Sequence, residues 1–238
     1  PVLIYALSEK NQYNNINLPD AYSIVETAKA AGYHTYWISN QLRYGNWDTP
    51  VAAIASTAEY QQWINGHVGE TTSTMFHDKK LAEVAPNFDN VHEALVVFHL
   101  MGSHLTYSDR YPVSFSKFKG SQSVVDEYDN SVLYGDDVLQ TIYNKVNKNP
   151  NFKAFIYLSD HGEEPNLDLG HEGTKFTWQM ARIPFIIKLS QSFKDSCPKE
   201  YKALLSHQNS CWTNDLLYNT IVNMMGITGL PRKELHLD

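Results

Sequence analysis

Apolar positions follow two rhythms along this chain. From Pro19 to Ala31, the residues Ala21, Ile24, Val25 and Ala28 share one helical face, Asp20 sits in the first turn, and Gly32 follows where a helix ends. Tyr33 to Ser39 then reads as a strand. The runs Ala94 to Phe98, Phe152 to Leu158 and Ile183 to Leu189 are also apolar and strand-sized. Between Ser123 and Asn147, the residues Val125, Tyr128, Val132, Leu139, Ile142 and Val146 fall on one side of a long amphipathic helix. Trp212 to Met225 predicts a closing helix before Gly226. Strand, helix and strand in succession predict an α/β fold: a largely parallel central sheet, right-handed crossovers and helices on both faces. No repeat, low-complexity linker or second domain interrupts residues 1–238.

Composition fits that picture. With 238 residues, 42% hydrophobic and 13% aromatic, the chain has the material for a buried core. A formal net charge of −7 with no basic stripe argues against nucleic acid as a partner. The longest apolar runs are strand-sized, so the sequence contains no membrane span or signal peptide. Cys197 and Cys211 are the only cysteines. A disulfide between them, worth about 3 kcal/mol in the chain-entropy model, is expected over two reduced thiols and points to an oxidising compartment.

Candidate chemistry gathers where strands end. Ser159-Asp160-His161-Gly162-Glu163 follows the strand Phe155 to Leu158, placing a carboxylate beside an imidazole at the carboxyl edge of the sheet. Both are metal-ligand types; a helix cap or a polar loop is the alternative. The strand at Ala94 runs into His99-Leu100-Met101-Gly102-Ser103-His104, and Gly170-His171-Glu172-Gly173 offers a third imidazole in a flexible loop. The direction of His99 is left open by strand alternation. His34, His67, His77, His92, His207 and His236 lack a comparable setting.

Phe98 to His104 with Arg110-Tyr111-Pro112, Tyr128 to Ser131, Ser159 to Glu163, Gly170-His171 and the tract Lys175 to Pro184 occur in this order. With Leu7 to Tyr13, Ala31-Gly32-Tyr33 and Trp37 to Gln41, the set resembles the periplasmic catalytic domain of a phosphoethanolamine transferase, in the alkaline phosphatase/sulfatase superfamily. The resemblance implies zinc, as one or two ions, with Asp160 and His161 among its ligands. It also implies an acidic ligand and a nucleophilic Thr upstream of Pro1, so that the domain is expected to be truncated there. The membrane-embedded region of the family would lie in the same missing part and provide the membrane contact.

On the same resemblance, His104 and His171 match histidines around the transferred phosphate. Donors to its oxygens, leaving-group acid/base groups and ligands of a second zinc all remain open for them. Glu163 is a candidate acceptor behind His161, although a solvated acidic loop with Glu164 is the simpler reading. In the long helix, Tyr128 reads as core, and Asp129 or Asn130 as a brace for the site loops. Arg43 is a candidate anion contact, but Asn40-Gln41-Leu42-Arg43-Tyr44-Gly45 departs from the Ser/Cys-Lys-Gly pattern of the lipid A branch.

The implied activity is transfer of phosphoethanolamine from phosphatidylethanolamine, through a phospho-threonine, to lipid A, lipopolysaccharide core or another envelope acceptor at the periplasmic face of the inner membrane. A phosphoglycerol transferase of the lipoteichoic acid synthase type, a sulfatase or phosphodiesterase, and a metal-binding protein without catalysis are the alternatives.

Overall fold

The computed structural model describes residues 22–45, 48–65, 76–120 and 123–229. The expected segments Pro1 to Ala21, with His67 and His236, lie outside them. Helix α1 (Ile24–Ala30) begins at a reciprocal cap: Ser23 Oγ accepts from Glu26 N at 3.2 Å, and Glu26 Oε2 accepts from Ser23 N at 3.0 Å. Gly32, at φ +91°, turns the chain into β1 (His34–Ser39). Helix α2 (Asp48–Ala55), strand β2 (Tyr60–Trp63), helix α3 (Lys79–Val84) and strand β3 (Ala94–His99) follow. The order is β2-β1-β3, with both pairings parallel. The weakly patterned α2, β2 and α3 were not anticipated from the sequence.

Strand alternation divides the core into two layers. Trp37 of β1 packs with Ile24 and Val25 of α1, Ile54 of α2 and, from helix α8 (Leu217–Met224), Tyr218 and Val222; Leu95 and Val97 of β3 join them. On the opposite face Ile38 packs with Leu81, Ala85 and Phe88, joined by Val96 and Phe98. The expectation of helices on both faces holds. Thr27 Oγ1 and Tyr218 OH lie 2.7 Å apart in the buried layer, and Tyr33 OH donates to Met225 O at 2.7 Å, which secures α8 against α1.

Helix α4 (Val124–Val146) starts at a second capping box, Ser123 with Asp126, close to the expected boundary. Tyr134, Val138 and Ile142 are buried against Ala82, Tyr111, Phe98 and Phe155. Val132, on the face expected to be apolar and covered, is 46% exposed. It borders a cavity between β3 and the next strand, β4 (Ala154–Leu158).

β4 pairs with β5 (Phe185–Leu189) in antiparallel register, from Ala154 opposite Leu189 to Leu158 opposite Phe185. Among the described residues this is the antiparallel exception to the largely parallel pairing expected. A parallel neighbour needs a crossover, usually a helix. Between Ser159 and Pro184 the chain instead makes 3₁₀ turns and the four-residue helix α5 (Trp178–Ala181), then folds back. Helices α6 (Gln191–Ser196) and α7 (Pro198–His207) lead toward α8.

The expected disulfide is not formed: Cys197 and Cys211 are free thiols. Cys197 immediately precedes α7, and Cys211 lies in the turn beyond its C-terminal end.

Ile142→Ala, which empties a site 1% exposed, should cost about 2–5 kcal/mol in urea denaturation. Iodoacetamide without reductant should alkylate both Cys197 and Cys211, read by peptide mass spectrometry; a linked peptide would contradict the geometry.

Candidate active site

The carboxyl ends of β3 and β4 converge. His104, beyond β3, has its ring centroid 5.1 Å from that of His171, which lies 4.2 Å from that of His161, beyond β4. Thus the three histidines singled out by sequence come together.

Each ring has a fixed hydrogen-bonding sense. His161 Nδ1 lies 2.9 Å from Gly162 O, and His104 Nδ1 lies 2.8 Å from Leu105 O. A carbonyl can only accept, so Nδ1 carries the proton in both rings and Nε2 is left with its lone pair. His171 Nδ1 lies 2.7 Å from Glu163 Oε1, and an ionised carboxylate imposes the same sense. His161 Nε2 is 3.8 Å from Asp160 Oδ2, which brings an imidazole and a carboxylate donor onto one side of the turn.

Glu163 lies in the buried part of the site, not in a solvated loop: its side chain is 5% exposed. Its Oε2 accepts from Tyr107 OH at 2.7 Å, and its Oε1 is 3.9 Å from His161 Nδ1. Glu163 therefore holds His171 directly and touches His161 only at long range. Burial, then the carboxylate, pushes the Tyr107 phenol upward, so it remains a donor. Tyr107 also packs edge-on to Tyr128, with centroids 5.2 Å apart.

The loops are fixed by close backbone approaches. Gly162 N donates to Met180 O at 2.7 Å, and a Cβ at Gly162 would collide with Gln179 O, so only glycine fits. Gly170 takes φ +55°, and Glu164 N donates to Gly170 O at 2.7 Å, closing the loop that returns His171 over Glu163. Asn214 Nδ2 donates to the carbonyls of Ser159 and Asp160 at 3.1 and 3.2 Å.

Asp78 is a buried support that no sequence motif marked. It accepts from Asn40 Nδ2 at 2.6 Å, Met101 N at 2.9 Å and Gly102 N at 2.8 Å, fixing the start of the His104 loop. Burial pushes its carboxyl upward against those donors. His99 turns toward β1, with Nδ1 3.1 Å from Ser39 Oγ and its ring 5.4 Å from Trp37. Desolvation holds its imidazole down to about 4, against a smaller upward pull from Asp160.

Two other candidates lie apart from the histidines. Asn130, buried in α4, accepts from Lys117 N at 2.7 Å and Phe118 N at 2.9 Å, so it braces that loop and touches none of the three rings. Arg43 lies over the Tyr44 and Trp63 rings, 5.8 Å from each centroid, and does not line the central cavity.

Imidazole and carboxylate donors suit a divalent transition ion. His161, Glu163 and His171 each offer one ligand atom, all within 4.8 Å of one another. Glu163 is already committed to Tyr107 and His171, however, and we assign it to orienting His171. Asp160 with the free Nε2 of His161 is the pair open to an ion.

Glu163→Ala leaves the Tyr107 hydroxyl buried without its acceptor and should cost about 1–3 kcal/mol in chemical denaturation. Histidine-selective NMR should show His171 losing its single tautomer while His161, held by Gly162 O, keeps its own. Loss of neither would remove Glu163 from the site.

The sulfatase family model matches residues 5–227. Phosphoethanolamine transferase EptC of Escherichia coli (strain K12) is 29% identical over 227 residues, covering 84% of this chain and 38% of the relative. Phosphoethanolamine transferase CptA of Salmonella typhimurium is 25% identical over 257 residues, covering 96% of this chain and 43% of the relative. The chain therefore spans less than half the length of these curated relatives. The zinc complex of the C-terminal periplasmic domain of Escherichia coli EptC superposes with a TM-score of 0.75 at 25% identity, over 95% of this chain and 68% of that one. With a family match across nearly all of its length and the same fold in a solved relative, this chain belongs to the sulfatase family.

Proposed function

We propose that the chain forms the zinc-binding catalytic part of a transferase that moves phosphoethanolamine from phosphatidylethanolamine to lipid A, lipopolysaccharide core or another envelope acceptor. It would work at the periplasmic face of the inner membrane, where a membrane-embedded part of the same protein would hold it near its lipids. The observation carrying this reading is the meeting of three imidazoles, each with a free Nε2, beside Asp160 at the joined ends of β3 and β4. The transferases EptC and CptA among its relatives support the reaction class, and the zinc complex of the EptC domain supports the metal.

The donor set passes a simple geometric test. Two ligands of one tetrahedral zinc lie about 3.3 Å apart, and Asp160 Oδ2 and His161 Nε2 are separated by 3.8 Å. When bound, zinc would neutralise charge on the phosphoryl group and favour an oxygen nucleophile. The remaining work belongs to side chains. His104 and His171 present Nε2 to the phosphoryl oxygens or to the hydroxyl proton of the acceptor. Glu163 behind His171 stabilises that ring whenever it holds the extra proton. The reaction proceeds in two displacements: the phosphoryl group leaves the lipid for a Thr outside these residues, and then leaves the Thr for the acceptor.

In the full-length protein, Asp160→Ala and His161→Ala should each remove tightly held zinc, measured by metal analysis after dialysis, and abolish transfer. His104→Ala and His171→Ala should fold normally and lose about 10²- to 10⁴-fold in turnover. Unchanged zinc and activity in the first pair would overturn the assignment. Transfer from phosphatidylglycerol instead of phosphatidylethanolamine would favour the phosphoglycerol reading, and aryl sulfate cleavage the sulfatase.

A further inference from the structure

A zwitterionic lipid headgroup brings a positive charge that the histidine cluster does not serve. The three imidazoles and the Asp160–His161 pair address a phosphate. The ammonium of ethanolamine lies two carbons beyond the ester oxygen, and binding it takes acceptors: a carboxylate, a carbonyl oxygen or an aromatic face.

Two such acceptors stand beyond the end of β1. The Gln41 amide is oriented by its Nε2, which donates to Leu100 O at 2.7 Å, so its Oε1 is turned the other way. Asp48 opens α2 and is half-buried. The turn that carries it is closed twice: Thr49 N donates to Gly45 O at 3.0 Å, and Gly45 N donates to Thr49 Oγ1 at 3.1 Å. Asp48 Oδ2 fills the space beside Gly45 where a Cβ would stand. Both acceptor side chains border the space that Ser103 and His104 also line.

No cation neutralises this carboxylate among the described residues. Arg43, the nearest basic residue in sequence, is stacked over the Tyr44 and Trp63 rings. Burial pushes the Asp48 carboxyl upward; its own backbone N–H and then His104 pull it back, and His104 is the one side chain that does so. The dipole of α2 favours an acid in its first turn, but that holds for a carboxylate directed anywhere around the turn. It does not account for one held within electrostatic reach of a histidine suited to an anion. Beside a phosphate, an uncompensated carboxylate is repulsive. A headgroup that carries its own ammonium reverses the sign of that interaction, and one that carries only hydroxyls does not.

Taking the phosphoethanolamine donor proposed above as its basis, we propose that Asp48 selects the ethanolamine headgroup, accepting from its ammonium together with Gln41 Oε1 while His104 faces the phosphate. Asp48 then attracts one lipid and repels another. The hydroxyls of phosphatidylglycerol can donate to a carboxylate, but they bring no charge to offset its repulsion of the phosphate.

Transfer by the full-length protein from vesicles of phosphatidylethanolamine and of phosphatidylglycerol tests the assignment. Asp48→Asn keeps the shape of the side chain and removes its charge. The ratio of kcat/KM for phosphatidylethanolamine over phosphatidylglycerol should fall by about 10-fold or more, with transfer from phosphatidylglycerol equal or faster. Asp48→Glu should keep most of the ratio. N-acetylated phosphatidylethanolamine, which lacks the positive charge, should be a poor donor for the parent, and Asp48→Asn should not weaken its use further. An unmoved ratio, or additive losses from acetylation and substitution, would overturn the proposal. Equal losses on every donor, or a Tm lowered by more than about 5 °C in Asp48→Asn, would mark a structural residue and overturn it as well. A parent that uses phosphatidylglycerol alone would overturn the donor reading and the role of Asp48 together. A parent that prefers phosphatidylethanolamine by a ratio indifferent to Asp48 would overturn the role of Asp48 alone.

Discussion

The buried Glu163 carboxylate is the joint on which the site depends. One oxygen accepts from Tyr107, in the turn beyond β3, and the other from His171, in the loop beyond β4. A single side chain thereby spans two loops whose strands share no ladder. In water such a pair of hydrogen bonds would have little net value, but a nearly buried carboxylate left without donors would carry a large desolvation cost. The two loops are therefore coupled: displacing one exposes the carboxylate that the other needs. Gly162 and Gly170 allow this closeness, the first by having no Cβ against Gln179 O and the second through its positive φ.

That joint also determines the chemistry available. Three imidazoles packed together would repel one another if all were protonated. Tying each Nδ1 proton to a carbonyl or carboxylate keeps the rings oriented while leaving three lone pairs for an ion or a phosphate proton. The overall charge of −7 would disfavour an anionic substrate, so local cationic character must come from a metal or from protonated histidine, not from the protein's general field. Arg43, engaged with Tyr44 and Trp63, does not provide it at the cluster.

The sequence made the outer parts of this arrangement readable because they obey local rules. The start of the long helix at Ser123, the strand runs and the histidines at strand ends follow from short-range pattern, whereas the first helix, expected from Pro19, is capped at Ser23. Asp78 and Asn214 were invisible for the opposite reason. Each acts on backbone groups far along the chain, at Met101 and Ser159 respectively, and no local motif specifies such a partner. The antiparallel return of β5 was likewise decided by the 3₁₀ turns and four-residue helix that follow β4, and the spacing of Cys197 and Cys211 in sequence does not say whether they meet. Glu163 beside Glu164 resembled a solvated acidic pair because sequence shows charge without showing the buried donor from Tyr107.

The face of α4 is another place where sequence and structure differ. Tyr128, Val132, Leu139, Ile142 and Val146 have the spacing of a helix lying on a sheet, and all of them line the cavity. Val132 is nevertheless 46% exposed, whereas Val138, outside that set, is 1% exposed against the packed layer. Periodicity marks which side chains share a face, but only the packed surface beneath decides which of them are covered, and on α4 that surface lies under Tyr134, Val138 and Ile142.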